Sequence, residues 1–343
     1  MSAPSTPVPT PAGKTGTARS ARSVAAGPSA LTLTMNPTVD LAWEVGHLTD
    51  IGKNRARVRT VAAGGGGINV ARGVARLGGR ATAIHTAGGE VGRRLNRLLD
   101  EEGVDHIAVD IEEETREALV LFETEAHHSY HIVPPGPRLR EDEALRCLDA
   151  LESGVGNCQY VVASGSLPGG LPADFYAVVA RRVKEAGSRL ILDTSGPALS
   201  GALGEGVFLL RCNRTEATSL TDREVRSFDD ARAVNEHLLT TGAAEVAVTT
   251  VGALGAVCST GHGHTELHVP PLPGDPLSDA GAGDGMVAAI TARLTAGDDP
   301  VSACALGVAV AAASMLTPST EPFDPAVAHS LRPEVKSEFR TRA

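Results

Sequence analysis

The sequence is poor in aromatic residues, which make up 3% of its 343 positions and include a single tryptophan, Trp43. Its five cysteines are scattered without C-x-x-C spacing, which excludes the common zinc and disulfide frameworks and predicts reduced thiols in a cytoplasmic protein. No apolar run reaches the roughly 20 residues that a membrane-spanning helix needs. The net charge of −10 disfavours nucleic acid as a partner. With 42% hydrophobic residues, the chain can still bury a sizeable core.

Acidic residues are absent from the first 30 positions, which are rich in Ser, Thr, Pro, Ala and Gly and contain Lys14, Arg19 and Arg22. This composition predicts a disordered tail over residues 1–30. An organelle transit peptide is the alternative for such an acid-free start. One large domain is then predicted over 31–332, followed by a C-terminal tail at 333–343.

From residue 31 onward, short β-rich runs alternate with helical patterns, which predicts an α/β fold with a mostly parallel central sheet and helices on both faces. Two stretches, 40–62 and 118–133, alternate polar and apolar residues without an intervening helix. They predict a small β lobe inserted into the α/β body. A lobe that covers a cleft like a lid excludes water from the chemistry beneath it.

The most informative motif is DAGAGDG at 279–285, because apolar residues at helical spacing follow it. Gly281, Ala282 and Gly283 are predicted at the N-terminus of that helix, with unpaired backbone N–H groups. Small residues admit an anion there, and the helix dipole favours its charge. Asp284 would lie beside a bound phosphate, where a carboxylate can accept a proton from an attacking hydroxyl. A plain helix start in a Gly- and Ala-rich chain is the alternative.

A second glycine cluster, GGGG at 64–67, precedes another amphipathic helix. Four glycines let the backbone approach a ligand closely. Asn69, in the first turn of that helix, can bind a sugar hydroxyl, and Asp40 at the end of the first strand can accept from two more. A flexible turn is the alternative. Dinucleotide binding is disfavoured because the glycines follow lobe residues and not a core strand.

Seven short motifs occur in the order, and with similar spacing, of the ribokinase-like (PfkB) sugar kinases, which the sequence resembles over about residues 31–332. The motifs are NPTVD at 36–40, GGGGINVARGVARLGG at 64–79, Thr115-Arg116, SGSLPGG at 164–170, Asn213-x-x-Glu216, TVGALG at 250–255 and GAGD at 281–284. The resemblance implies a ribokinase-like fold and a cytoplasmic sugar-phosphate kinase of carbohydrate metabolism and glycolysis. It also implies ATP and Mg²⁺, and leaves a monovalent cation open.

Carried over to this chain, the resemblance makes Asp284 the general base that deprotonates the acceptor hydroxyl, above an anion hole formed by 281–283. The other implied roles are sugar binding by Asp40, Gly64, Gly65, Asn69 and Ser166, binding of the sugar's existing phosphate by Lys53 and Arg116, nucleotide binding by Asn213, Thr250, Gly252 and Gly255, and Mg²⁺ binding, largely through water, by Glu216. Arginine suits phosphate because its planar fork donates two charge-assisted hydrogen bonds.

Each of these motifs also has an ordinary explanation when it is taken alone. Isolated Arg116 and Lys53 would more often be solvated surface charges, and Ser166 a common loop serine. Asn213 and Glu216 have the spacing of a helix-capping pair. The glycines of 250–255 are equally typical of a plain hairpin.

The acceptor sugar is predicted from Gly66, since relatives that phosphorylate fructose 1-phosphate usually carry Lys there; fructose 6-phosphate is therefore favoured. Fructose 1-phosphate and tagatose 6-phosphate are the alternative acceptors, and a sugar-phosphate-binding regulator is the non-enzyme alternative. Four positions depart from the family pattern. Arg211 replaces a common Lys, Gly169 a second Pro, and Gly285 a Ser or Thr, while Asp279 places a carboxylate near the anion hole.

The predicted lobe is too small to bury both of its faces, which favours a homodimer formed through it. Such pairing would bring Lys53 to the neighbour's sugar site; a monomer with a folded lid is the alternative. The histidines at 262, 264 and 268 alternate along a hairpin. They are interpreted as surface residues and not as a metal cluster, because no accompanying acid or cysteine pattern was found.

Overall fold

A computed structural model of the chain describes residues 29–278, 280–317 and 322–342. Nearly all of the predicted N-terminal tail, and Asp279, lie outside the described residues. Within these ranges no helix combines the length and the apolar character needed to cross a bilayer.

Two sheets contain the strands of the described residues. In chain order the strands are β1 (Ala30–Thr34), β2 (Thr38–Val45), β3 (Arg57–Gly64), β4 (Ala81–Ala87), β5 (His106–Asp110), β6 (Arg116–Glu123), β7 (His128–Ile132), β8 (Tyr160–Ser164), β9 (Arg189–Asp193), β10 (Val207–Cys212), β11 (Ala244–Thr250), β12 (Gly255–Thr260), β13 (Gly263–His268) and β14 (Ser337–Arg340). The large sheet has ten strands in the order β14-β13-β12-β11-β10-β9-β8-β1-β4-β5. All neighbours from β5 to β11 are parallel, and those from β11 to β14 are antiparallel.

Helices cover both faces of the large sheet. They are α1 (Gly66–Arg76), α2 (Gly89–Glu102), α3 (Glu141–Val155), α4 (Phe175–Glu185), α5 (Gly196–Ala202), α6 (Arg214–Thr221), α7 (Phe228–Thr240), α8 (Ala282–Thr295), α9 (Pro300–Ser314) and α10 (Pro325–Leu331). Helices α3 to α7 pack on one face, and α1, α2 and α8 to α10 on the other. The prediction of an α/β fold with helices on both faces is confirmed.

Strand residues alternate between the two helical layers, as a strand buried on both faces requires. On β8, Val161 joins the core beneath α3 and α4, whereas Val162 joins the core beneath α8. Leu192 and Ile191 divide in the same way on β9. Because neighbouring strands from β5 to β11 are parallel, their carboxyl ends lie at the same edge of the sheet, and the residues that follow them meet there.

The small sheet has the order β3-β2-β6-β7 and matches the predicted β lobe. Its strands begin and end within two residues of the predicted 40–62 and 118–133, except that 46–56 forms a loop between β2 and β3. Strand β3 runs directly into the glycines before α1. The sheet thus carries side chains from β2 and β6 onto the carboxyl edge of the large sheet.

A buried polar network joins α7 to strands β11 to β13. Asn235 Nδ2 donates to Ala247 O, Val257 O and Ser259 Oγ at 2.9–3.1 Å, and Asn235 Oδ1 accepts from Thr249 Oγ1 at 2.6 Å. The hydroxyl of Ser259 lies 2.7 Å from His264 Nδ1. Both the NH₂ group and the carbonyl oxygen of the Asn235 side chain therefore have hydrogen-bond partners inside the protein.

The C-terminal residues are not the tail that the sequence predicted. Strand β14 pairs antiparallel with β13 and extends the large sheet by one strand. Beyond it, Arg342 donates to both carboxylate oxygens of Glu236 on α7, at 2.7 and 2.9 Å. With four residues, β14 is too short for an alternating pattern to reveal it in the sequence. Its pairing with β13, and not its own pattern, determines its structure.

Candidate active site

Helix α8 begins within the 279–285 motif, as predicted, and its first turn lies near Asp193 and Arg211 at the carboxyl edge of the large sheet. Gly281 is its N-cap, in the left-handed region with φ 78°, and Ala282, Gly283 and Asp284 form the first turn. The backbone N–H groups of this turn have no partner within the helix, so they are available to an anion. A Cβ at Gly283 would lie 2.7 Å from Arg211 Nη1, so the guanidinium packs closely against this glycine.

Among the described residues, one side-chain hydrogen bond holds Asp284. Asn69 Nδ2 donates to Asp284 Oδ2 at 2.8 Å and so joins the first turns of α1 and α8. Burial, and then the Asp193 carboxylate, raise the pKa of Asp284 to about 7, while the Asn69 hydrogen bond and the Arg211 charge lower it. A carboxyl group that titrates near neutrality is suited to accept a proton at physiological pH.

The GGGG run packs against three other segments, which explains its composition. A Cβ at Gly64 would overlap the carboxylate of Asp40, and one at Gly66 would overlap Ser164 Oγ. At Gly67 a Cβ would lie 2.6 Å from Thr34 Oγ1, and Gly65 has φ 110°. The run is therefore a rigid, closely packed turn and not a flexible one.

Asp40 on β2 faces the same cleft as Asn69 and Asp284. Burial raises its pKa to about 6, and a hydrogen bond from Thr38 and the charges of Arg72 and Arg116 partly oppose that rise. The structure thus brings together two carboxyl groups with raised pKa values, from opposite ends of the sequence.

Arg116 lies near enough to Asp40 for its charge to lower the pKa of that carboxyl group, and Ser166 lines a neighbouring cavity with Asp284. The loop after β1 links the two residues. Arg116 donates to Asn36 O and Pro134 O, both at 2.9 Å, and Asn36 Nδ2 donates to Ser166 Oγ at 3.2 Å. Lys53 is not brought to the site: it is exposed in the loop between β2 and β3. The role predicted for Lys53 stays a prediction.

A second cleft, of about 500 Å³, lies on the other side of the α8 N-terminus. The predicted nucleotide residues Asn213, Thr250, Gly252 and Gly255 all line it, with Ala282 and Gly283. Its wall is apolar, formed by Val269, Met286, Val308, Ala311, Ala312 and Met315. An apolar slot with a polar rim at a helix N-terminus suits a flat heterocycle linked to phosphates.

Asn213 and Glu216 form the helix-capping pair that was the alternative explanation. Glu216 N donates to Asn213 Oδ1 at 2.9 Å, and Asn213 N donates to Glu216 Oε2 at 2.7 Å. One carboxylate oxygen of Glu216 is thereby used in the cap. The other lies in a cavity of about 240 Å³ that also contains Asp193, Asp284 and the Ser164, Thr194 and Ser195 hydroxyl groups.

Arg211 and Asp193 are site residues to which the sequence analysis gave no role. Arg211 Nη1 lies 3.3 Å from Asp193 Oδ1, and Nη2 donates to Thr250 Oγ1 at 3.3 Å. Asp193 is the last residue of β9 and Arg211 the next to last of β10, and the carboxyl ends of parallel strands converge on ligand sites. Only the order of the strands in the sheet brings these two residues together. Arg211 lines both the large cleft and the Asp284 cavity, so a phosphate passing between them would meet it.

Seven buried polar side-chain atoms of the described residues have no hydrogen-bond partner. Four belong to residues at or near these clefts, namely Thr34 Oγ1, Asn36 Oδ1, Arg116 Nε and Arg211 Nε, and the others are Thr32 Oγ1, Asn96 Oδ1 and His268 Nε2. Such atoms are uncommon in folded proteins, since leaving one unpaired costs about 1–3 kcal/mol. A polar ligand bound at the clefts is one source of partners for the four.

Two departures from the family pattern have local partners. A Cβ at Gly169 would lie 3.1 Å from Arg138 Cγ, and Leu139 N donates to Gly169 O at 2.8 Å. A Cβ at Gly285 would lie 2.8 Å from Ser314 Oγ. The absence of a side chain at both glycines therefore lets a neighbouring segment pack closely against the backbone.

The hairpin histidines differ from the prediction that all three lie at the surface. His262 is exposed, but His264 is 5% exposed and bonded to Ser259. Glu266, His268 and Glu338 bring possible ligand atoms within 4.8 Å of one another. Acids from β13 and β14 thus do accompany the histidines, although Glu266 is ion-paired with Arg232.

The chain is similar to known proteins over most of its length. Residues 33–326 match the model of the pfkB family carbohydrate kinases. The chain is 39% identical over 293 residues to the ATP-dependent 6-phosphofructokinase isozyme 2 of Mycobacterium tuberculosis, covering 85% of this chain and 86% of that protein. It is 35% identical to the Escherichia coli protein of the same name, over 84% and 93% of the two chains.

The fold agrees with a solved relative as well. The crystal structure of Escherichia coli phosphofructokinase-2 in complex with fructose-6-phosphate superposes with a TM-score of 0.80 at 33% identity, covering 88% of this chain and 97% of that one. The chain belongs to the pfkB family of carbohydrate kinases.

Proposed function

We propose that this kinase transfers the γ-phosphoryl group of ATP to the free primary hydroxyl of fructose 6-phosphate, giving fructose 1,6-bisphosphate and ADP. The observation that carries the proposal is Asp284, a carboxylate with pKa about 7 at the seam between two clefts and directly after an anion hole. The names of the two relatives with 35–39% identity support the acceptor. The absence of a lysine at Gly66 is consistent with it.

In the proposed step, the acceptor hydroxyl loses its proton to Asp284 as its oxygen forms the new P–O bond. The bond between the β,γ-bridging oxygen and the γ-phosphorus breaks, and ADP leaves. The N–H groups of Ala282 and Gly283 and the Arg211 guanidinium face the transferring group and stabilise its charge. Asp40 and Asn69 orient the sugar, and Arg116 with Ser166 binds the end that carries its phosphate.

The cavity beside Glu216 fits Mg²⁺, because its potential ligands are oxygens: the Asp193 and Glu216 carboxylates and three hydroxyl groups. Bound there, Mg²⁺ would neutralise part of the charge on the nucleotide phosphates. Glu216, already engaged in the helix cap, would act chiefly through water. The proposal also includes a monovalent cation, since an Escherichia coli relative is described in complex with potassium.

A coupled assay of ADP release tests the acceptor. Fructose 6-phosphate, fructose 1-phosphate and tagatose 6-phosphate are compared at equal concentration, and the first is expected to give the highest kcat/KM. A higher value for either of the others would replace the proposed acceptor with that sugar. No turnover on any of them would instead favour a sugar-phosphate-binding regulator.

We further propose a cytoplasmic homodimer formed through the small sheet. Val58, Tyr130, Ile132 and Val133 on or beside this sheet are between 40% and 58% exposed, which is a large apolar area for one small sheet. Pairing there would also bring Lys53 to a neighbouring site. One Escherichia coli structure is described as a tetrameric inhibited form, so higher assembly is a further outcome to measure.

Sedimentation at micromolar concentration, with and without fructose 6-phosphate, tests this assembly. A dimer is expected under both conditions, and Ile132→Asp should dissociate it. A fully active monomer would overturn the proposal.

A further inference from the structure

Arg72 is a buried cation on α1 that has no role in the transfer step described above. It is 9% exposed, and it lines the same cleft as Asp40 and Asp284. Among the described residues its guanidinium has no hydrogen bond to either carboxyl group, because other partners hold it. Nε and Nη2 donate to the two oxygens of Glu102 at 2.6 and 2.8 Å, and Nη1 donates to Ala63 O at 2.8 Å.

The fourth contact of Arg72 links it to the candidate base. Nη1 lies 3.5 Å from Asn69 Oδ1, while the Nδ2 group of the same amide donates to Asp284. An amide has an acceptor end and a donor end, and a cation near the acceptor end favours one orientation over the flipped one. With the amide reversed, Asn69 would present an oxygen to the Asp284 carboxylate, and two acceptors would face each other.

Glu102, the last residue of α2, keeps Arg72 in this position. A bidentate carboxylate fixes both the place and the plane of a guanidinium. The pair therefore keeps the guanidinium beside the Asn69 amide oxygen.

We propose that Arg72, clamped by Glu102, is a positioning residue that orients the Asn69 amide so that its donor end holds Asp284 toward the acceptor hydroxyl. The chain of contacts runs Glu102–Arg72–Asn69–Asp284 and connects an outer helix to the reacting atoms. This inference rests on the proposed function, in which Asp284 is the base.

The test replaces the fork but keeps the charge. In Arg72→Lys a single ammonium cannot serve Glu102, Ala63 O and Asn69 Oδ1 in the same geometry. We expect kcat to fall about tenfold with the KM for ATP unchanged, as for the loss of one charge-assisted contact. The acid limb of the kcat–pH profile should move to higher pH, because a weaker Asn69 hydrogen bond stabilises the ionised carboxylate less.

A double-mutant cycle separates positioning from general destabilisation. If Arg72 acts through the amide, Arg72→Lys should have almost no further effect on kcat in an Asn69→Ala background. Effects that add fully in the double variant would overturn the proposal. Arg293→Lys is the matched control, since Arg293 makes an equivalent bidentate pair with Asp298, at 2.6 and 2.8 Å, at the other end of α8. Its pH profile should equal that of the wild type.

Glu102→Gln covers the case in which Arg72→Lys fails to fold. It retains the shape of the partner but weakens the clamp, and it should shift the acid limb in the same direction by a smaller amount. A wild-type profile and kcat in this variant would contradict the proposal.

A second readout does not depend on turnover. The ¹³C chemical shift of the Asp284 carboxyl carbon, assigned by its loss in Asp284→Asn, should titrate at higher pH in Arg72→Lys and Glu102→Gln than in the wild type. If the wild type phosphorylates none of the sugars, the proposed function fails but this titration still decides the Arg72–Asn69–Asp284 linkage. If the wild type is active and the titration is unchanged in both variants, the inference alone fails.

Discussion

Two buried polar clusters in this protein have similar residue types and opposite states of hydrogen bonding. At the antiparallel end of the large sheet, the amide of Asn235 is fully bonded and Ser259 is paired with His264. At the carboxyl edge of the parallel strands, Thr34, Asn36, Arg116 and Arg211 each have a buried polar atom without a partner. The first cluster is complete without a ligand, and the second is not.

This difference separates structural from functional polarity. A satisfied network stabilises one arrangement of strands, whereas unpaired donors and carboxyl groups with raised pKa values cost stability that only a ligand can recover. If the comparison holds, changes in the site should alter activity and leave folding intact or improved, and changes in the Asn235 network should do the reverse. Four predictions test it, from the largest expected effect to the smallest.

Asp284→Asn should give the largest effect. The amide keeps the shape of the carboxyl group but cannot accept the proton, so kcat should fall by about 10²- to 10⁴-fold with modest change in substrate KM. Pre-steady-state measurement ensures that the chemical step is observed. A variant that retains more than about a tenth of wild-type turnover in that regime would remove Asp284 from the role of base.

Arg116→Ala should weaken the sugar phosphate selectively. Loss of a charge-assisted hydrogen bond costs about 1.5–3 kcal/mol, or roughly 10- to 150-fold in affinity. Because Arg116 also donates to Asn36 O and Pro134 O, Arg116→Lys tests whether charge alone restores binding. Calorimetric titration with the sugar phosphate and with an ATP analogue compares the two ligands. A loss of affinity confined to the ATP analogue would show that Arg116 had been assigned to the wrong cleft.

The pH dependence should have opposite signs for activity and for stability. With the pKa of Asp284 at about 7, kcat should fall about tenfold from pH 8 to pH 6 as the base is protonated. The folded state holds this proton more tightly than the unfolded state, so the stabilisation is present below about pH 4 and is lost as pH rises through about 7. Melting temperatures at pH 5 and pH 8 should show this trend in the wild type and a weaker one in Asp284→Asn.

That variant should also be more stable than the wild type at pH 8, since it removes a buried charge. Equal slopes of melting temperature against pH in both proteins would mean that Asp284 is not the residue that titrates.

Asn235→Ala should have the smallest effect on activity. It leaves Thr249 and Ser259 short of a buried partner and should lower the free energy of unfolding by about 1–3 kcal/mol for each group left unpaired. Denaturant titration measures this loss, and kcat/KM of the folded protein should stay within about twofold. Asn157→Ala, at an exposed position, is the matched control and should change stability by less than about 0.5 kcal/mol. A large change in the KM of Asn235→Ala would contradict the proposed difference between the two polar clusters.

The sequence predicted the parts of the site that short motifs encode. Glycine runs and first-turn polar residues mark helix N-termini, so Asp284 and Asn69 were identified although they lie 215 positions apart. The contact between them, and their link to Arg72 and Glu102, depends on the packing of α1, α2 and α8. No local pattern carries that information.

Other features were missed for particular physical reasons. Helix α9 is buried on nearly all sides, so it lacks the amphipathic period that reveals a helix in a sequence. Strand β14 is short, and its pairing with β13 determines it. Arg211 and Asp193 become site residues only because their strands, β10 and β9, lie side by side between β11 and β8 in the sheet. Their roles follow from sheet order, which the sequence does not state.

The close packing of the GGGG turn limits how this enzyme can change by mutation. Gly64, Gly66 and Gly67 have no free volume for a Cβ, and Gly65 has a backbone conformation that other residues rarely adopt. A side chain at Gly64, Gly66 or Gly67 therefore requires Asp40, Ser164 or Thr34 to move. The lysine that kinases of fructose 1-phosphate usually carry at the position of Gly66 implies that a change of acceptor there is accompanied by a shift of this turn. Arg138 is exposed and meets no such restraint. A library randomised at 64–67 should yield few clones active on fructose 6-phosphate, whereas one at 138 should yield many.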